Sequence, residues 1–141
     1  MMKIVLDTNS LLVSIPKKSK YRPIFDAVIN GKIQLLISNE VLTEYTEKIA
    51  EKTNANIAFN ISEFLVQSNY VLKTEIYYRW HLIEKDADDD KFVDCAVSGN
   101  ADYLVTDDKH FNKLREIEFP MVKVLKTAEF LALLVERDKE K

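Results

Sequence analysis

Apolar residues fall along the chain in two rhythms, short unbroken runs and stripes spaced three and four apart, and their alternation predicts an α/β protein. Lys3–Leu6, Ile33–Ile37, Tyr103–Val105 and Val122–Leu125 are runs rich in branched apolar side chains, read as buried strands. Between them lie helical patterns with their own start and stop signals. Asn9 or Ser10 caps a short helix through Leu11, Leu12 and Val13 that Pro16 ends, and Pro23 opens a second carrying Ile24, Phe25, Val28 and Ile29 up to Gly31. Ser38 caps a third with Val41, Leu42, Tyr45 and Ile49 inward, and residues 53–69 carry Ile57, Ile61, Phe64 and Leu65 at helical spacing. Asp88 or Asp89 caps a helix to Ser98, with Phe92, Val93, Ala96 and Val97 on one side, and Gly99 with Asn100 stops it. Thr127 caps a last helix through Phe130, Leu131 and Leu134. Residues 70–83 read equally well as a strand and turn or as a short helix at 75–80. The expected architecture is a three-layer α/β/α domain spanning residues 1–141, with a central, mostly parallel sheet of about four or five short strands.

Composition narrows the classes of function. Apolar residues make up 47% and charged residues 30% of the 141, a globular balance. A formal net charge of −3 excludes holding nucleic acid by bulk charge, so such contact would need a local basic patch or bound cations. Neither a bilayer-length apolar run nor a secretory leader is evident, so a cytoplasmic protein without membrane attachment is expected. The lone cysteine, Cys95, sits on an apolar helix face and reads as a small buried hydrophobe.

The chemistry concentrates in residues 86–111, DADDDKFVDCAVSGNADYLVTDDKHF. Asp90 and Asp94, one helical turn apart, stack two carboxylates on one edge. The strand at Tyr103–Val105 runs out at Thr106, Asp107 and Asp108, and the first strand runs out at Asp7. As neighbours in a parallel sheet these two strands would place both acids at the carboxyl edge, where open α/β sheets bind ligands. Carboxylates sharing a site repel unless a cation compensates, and an oxygen donor set points to Mg²⁺ or Mn²⁺, one ion or two, with Asp7, Asp90, Asp94 and Asp108 as metal ligands. Phosphodiester hydrolysis fits such a centre. Alternation along an extended segment puts Asp107 and Asp108 on opposite sides, leaving open which of them faces the site.

VLDTNSLL, ISNEVLTEY, DADDDKFVDCAV and ADYLVTDDKHF together resemble the PIN-domain ribonucleases, in particular the toxin components (VapC-like) of toxin–antitoxin pairs. The resemblance covers nearly the whole chain. It implies a Mg²⁺- or Mn²⁺-dependent endoribonuclease whose catalytic acids are Asp7, Glu44, Asp90 and Asp108, with Asp94 as a supporting acid and Asn9 and Thr106 as polar residues orienting the first and last acids. By periodicity alone Glu44 is one solvated acid among Glu40, Glu47 and Glu51, and only the resemblance singles it out. It further implies an RNA substrate, an antitoxin partner and a homodimer. Lys17, Lys18, Lys20 and Arg22 form a cationic cluster and are, with His110, the candidates for substrate contact.

The last helix, the 53–69 helix and Tyr77, Tyr78 and Trp80 together hold more large apolar side chains than the domain needs to bury, which again points to a homodimer. Two other functions fit the same fold. One is a catalytically silent RNA-binding or scaffold domain. The other is a phosphoryl-transfer domain using Asp7 as nucleophile, for which Asn9 stands where a second acid is wanted.

Overall fold

A computed structural model of the chain describes residues 1–83 and 87–140, so Asp86 of the acidic run and Lys141 lie outside the described residues. Five strands, β1 (Met2–Leu6), β2 (Ile33–Ile37), β3 (Val71–Lys73), β4 (Tyr103–Val105) and β5 (Val124–Leu125), form one parallel sheet in the order β3-β2-β1-β4-β5. Ile4, Val5 and Leu6 of the central strand are fully buried, as an unbroken apolar run must be when both faces of a parallel sheet are covered. From β1 the chain winds to β2 on one side and, later, to β4 on the other. The crevice between the carboxyl ends of β1 and β4 is therefore the topological switch point, and the Asp7 N–H donating to Val105 O at 3.0 Å closes its floor.

The covering helices are α1 (Thr8–Ser14), α2 (Arg22–Ile29), α3 (Asn39–Lys52), α4 (Ala55–Gln67), α5 (Asp90–Ser98) and α6 (Thr127–Lys139), giving the three-layer α/β/α fold. Several starts obey their sequence signals. Ser38 caps α3 by accepting from the Val41 N–H, Asn54 caps α4 by accepting from the Ile57 N–H, and Pro23 lies in the first turn of α2.

Others differ. The cap of α1 is Asp7, whose carboxylate accepts from the Thr8 N–H at 2.8 Å, and not Asn9 or Ser10. At α5 Asp89 is the N-cap residue and the helix runs to Ser98, as expected, but the Asp89 side chain makes no cap hydrogen bond. A 3₁₀ turn at Ala87–Asp89 leads into the helix. At α6 the N-cap is Lys126, whose N–H donates to Glu129 at 2.8 Å, while Thr127 is the first helical residue.

Residues 70–83 contain the three residues of β3 followed by an irregular strap over 74–83, with no helix at 75–80. The last strand is shorter than expected, pairing only Val124 and Leu125 with β4. A 3₁₀ helix at Lys109–Glu116 has no counterpart in the predicted elements. It buries Phe111 and Leu114, three residues apart, as a three-residue period requires.

Candidate active site at the switch point

Asp7 is only 7% exposed, and both of its oxygens are engaged. Oδ1 accepts from the Thr8 N–H at 2.8 Å and Oδ2 from the Thr106 hydroxyl at 2.7 Å. Thr106 follows β4, and its hydroxyl also accepts from the Asp108 N–H at 3.0 Å, so one side chain ties the acid after β1 to the acid after β4. Burial lifts the Asp7 carboxyl above its ordinary value; the two hydrogen bonds pull it down, and the neighbouring charges of Asp108 and Glu44 push it up again.

Glu44 reaches this edge from the middle of α3. It accepts the Thr8 hydroxyl, and its other oxygen pairs with Lys91 Nζ at 2.7 Å, both side chains being largely buried at 19% and 14% exposed. Burial opposes the Lys91 charge, but the hydrogen bond and charge of Glu44 outweigh it and hold the ammonium above its usual range.

Asp108 caps the 3₁₀ helix by accepting from the His110 N–H at 2.9 Å. His110 Nδ1 lies 3.5 Å from an oxygen of Asp108 and 3.5 Å from Asp89 Oδ2. Ligand atoms of Asp89, Asp108 and His110 all fall within 4.8 Å of one another, a span that one cation could bridge. The acid of the DDD run that approaches Asp108 is thus Asp89, one residue before Asp90, and a histidine lies within reach of a donor set expected to hold oxygens alone.

Asp90 and Asp94 engage the strap instead. Asp90 Oδ1 accepts from the Ile83 N–H at 2.8 Å, with His81 Nδ1 3.9 Å from its other oxygen. Asp94 is 2% exposed and accepts from the Trp80 N–H at 3.0 Å. Its carboxyl is raised by burial, lowered by that hydrogen bond and raised by Asp90. Asp107 turns to α6, its two oxygens accepting from the N–H and the hydroxyl of Thr127, both at 2.9 Å.

Asn9 is exposed and lines an apolar cleft with Leu12, Val13, Pro16 and Ile57. Lys17, Lys18 and Lys20 are exposed beyond the far end of α1, which at about 1.5 Å per residue puts them roughly 10 Å or more along the helix from Asp7. Arg22 is a local clip, bonded to Ile15 O and to Asp26 at 2.8 Å. The sequence reading passed over Thr8, Asp89 and Lys91. Thr8 carried a signal in its place directly after a strand-end acid, and Lys91 in its place one turn before the buried acid at 94.

The model of the PIN domain matches residues 3–110. Comparison with curated protein sequences gave no match. Among solved structures the chain is similar to VapBC-1 from nontypeable Haemophilus influenzae, at 19% identity and TM-score 0.61 over 90% of this chain and 99% of that one. It is also similar to VapBC2 from Rickettsia felis bound to a DNA fragment from their promoter, at 18% and 0.59 over 89% and 98%. The PIN domain of RRP44 from T. brucei matches at 13% and 0.57 over 99% and 84%. At such identities these likenesses speak to the fold, and the family follows from the domain match. With an acidic edge at the switch point and 108 of its 141 residues (3 to 110 inclusive) under that match, the chain belongs to the PIN domain family, a family of nucleases.

Proposed function

We propose that the protein is a Mg²⁺- or Mn²⁺-dependent endoribonuclease, that residues 1–141 act as one domain in the cytoplasm, and that it is the toxin of a toxin–antitoxin pair. The observation that carries this reading is the convergence of Asp7, Glu44, Asp89 and Asp108 on the crevice between β1 and β4. The donor set fits a hard divalent cation. Asp7 is buried beside two further negative groups, an arrangement that is costly without positive charge; Lys91 pairs with Glu44, and His110 lies near Asp89 and Asp108. Asp7, Asp89 and Asp108, with Glu44, would hold the ion, and His110 nitrogen adds a ligand that suits Mn²⁺ better than Mg²⁺. A bound ion would activate water and neutralise charge on the phosphate.

The chain's own residues do the positioning. Thr106 fixes Asp7 and Asp108 against each other, Thr8 orients Glu44, and Lys91 balances Glu44. Asp90 and Asp94, read from the sequence as metal ligands, act here by holding the strap beside the site. The likeness to VapBC complexes supports an antitoxin partner, and exposed Phe59, Val66 and Val135 on α4 and α6 support a homodimer. Incubating RNA with the purified protein in Mn²⁺, Mg²⁺ or EDTA tests the activity. Cleavage should need the metal and vanish in Asp7→Asn, and metal-independent cleavage would refute the reading.

A further inference from the structure

The strap over 74–83 carries an aromatic cluster that the acidic edge does not use. Trp80 lies 4.6 Å from Tyr78 at 63° and 5.8 Å from Phe119 at 82°, centroid to centroid. Both neighbours stand steeply to the indole, and both are open to solvent, Tyr78 at 62% and Phe119 at 83% exposed. Each edge-to-face contact covers at most one face of one ring, so Tyr78 and Phe119, with one such contact each, keep at least one π face out of it, and solvent-facing π faces suit a planar, π-bearing ligand. Cationic or protonatable groups interleave with the rings, since Arg79, paired with Glu40, and His81, near Asp90, flank Trp80 with side chains 55% and 76% exposed.

The cluster is also fixed to the candidate active site. Asp94 accepts from the Trp80 N–H and Asp90 from the Ile83 N–H, and Asp90 adjoins Asp89, the acid beside Asp108. A nucleic-acid strand with a phosphate at the acidic edge would have its neighbouring nucleotides beside this strap. Unpaired bases stack on aromatic faces whatever their identity, and nearby cations meet the backbone. Protein interfaces are also rich in aromatic side chains and Arg, and what favours a nucleic-acid strand here is that the rings are tied to the helix carrying the acids.

We propose that Tyr78, Trp80 and Phe119 form a stacking platform for the bases of single-stranded RNA. This rests on the nuclease reading of the acidic edge, and its test does not depend on cleavage. Trp80 is the only tryptophan in the sequence, so intrinsic indole fluorescence reports on the platform alone. The probe is an oligoribonucleotide of about ten nucleotides held in EDTA, where metal-dependent cleavage stops, compared with an abasic oligomer of equal length and charge. The base-bearing strand should quench the fluorescence and bind more tightly than the abasic one. Tyr78→Ala and Phe119→Ala, at exposed positions that leave the fold intact, should each weaken binding about tenfold.

Equal affinity for both oligomers without quenching would overturn the proposal. So would a Phe119→Ala variant that keeps its oligonucleotide affinity but changes from dimer to monomer in sedimentation, which would make this face a protein interface. An RNA that binds and quenches yet is never cut in Mn²⁺ would support the platform and refute the nuclease reading.

Discussion

Replacing Lys91 by methionine should destabilise the metal-free protein far more than a surface substitution would. The Lys91–Glu44 pair spans 2.7 Å with its side chains 14% and 19% exposed, and removing the ammonium leaves the Glu44 carboxylate near Asp7 and Asp108. Breaking a fully buried pair costs about 3–5 kcal/mol; the remaining exposure and the Thr8 hydroxyl reduce this to about 1–3 kcal/mol. For a chain of this length that is a fall of roughly 4–12 °C in melting temperature. Thermal unfolding followed by circular dichroism in EDTA measures it. Mn²⁺ can replace the lost positive charge, and no ammonium then competes for Glu44, so Mn²⁺ should raise the melting temperature of Lys91→Met more than that of the wild type. Adding Glu44→Gln to Lys91→Met should recover most of the loss by removing the orphaned charge. A Lys91→Met protein melting within about 1 °C of wild type in EDTA, with the same response to Mn²⁺, would refute this account of the pair.

Three other outcomes follow from the same geometry. Asp7 has its carboxyl raised by burial, so the folded state holds that proton more tightly than the unfolded chain, and the stability this gives falls as pH rises from 3.8 through the raised folded value. In EDTA the melting temperature of Asp7→Asn should therefore gain on wild type as pH rises across that window, and a pH-independent difference would refute it. Asp89→Asn and Asp108→Ala should each lower the metal-dependent cleavage rate at least about tenfold, ~1.4 kcal/mol of transition-state stabilisation, while Asp90→Asn should lower it less; the reverse order in single-turnover assays would restore Asp90 as the metal-facing acid. Asp107→Ala should leave cleavage in place but cost about 1–2 kcal/mol in urea unfolding, by removing both acceptors from Thr127 at the start of α6.

The sheet was legible because its strands are buried on both faces and so read as unbroken apolar runs, and β2 and β4 match their predicted limits. Helix starts were legible where a side chain makes the cap, as at Ser38. They were misplaced where another residue makes it, as at Asp7 and Lys126, while at α5 the expected Asp89 is the N-cap residue but makes no side-chain cap bond. Convergence of Asp7 and Asp108 followed from topology, because each directly ends a strand and those strands are neighbours. Position within the run of three acids did not. Helical periodicity fixes which residues share a face only once the first helical residue is known, and one extra 3₁₀ turn rotates Asp89 toward Asp108 and Asp90 toward the strap. The Lys91–Glu44 pair joins residues 47 apart on two helices, a tertiary fact that no local pattern carries.

That one-residue rotation divides the acids of α5 between two tasks. A helix start leaves backbone N–H groups unpaired and favours acids beside it, and the sequence places several there. Asp89 joins Asp108 and His110 at the edge of the sheet, while Asp90 and Asp94, one turn apart, accept two N–H groups from a strap that has no strand partner for them. The Thr74 N–H still donates to Ile37 O, but over 75–83 the strap is neither helix nor strand, and these two carboxylates, with the Arg79–Glu40 pair, hold it. Burial raises the Asp94 carboxyl, yet its bond to the Trp80 N–H favours the charged form, so the acid that anchors the aromatic strap lies on the helix whose N-cap is an acid of the site. Displacement of the strap would uncover Asp94 beside Asp90 and concentrate negative charge there. The position of the strap and the electrostatics of the acidic edge are therefore coupled through the first two turns of α5.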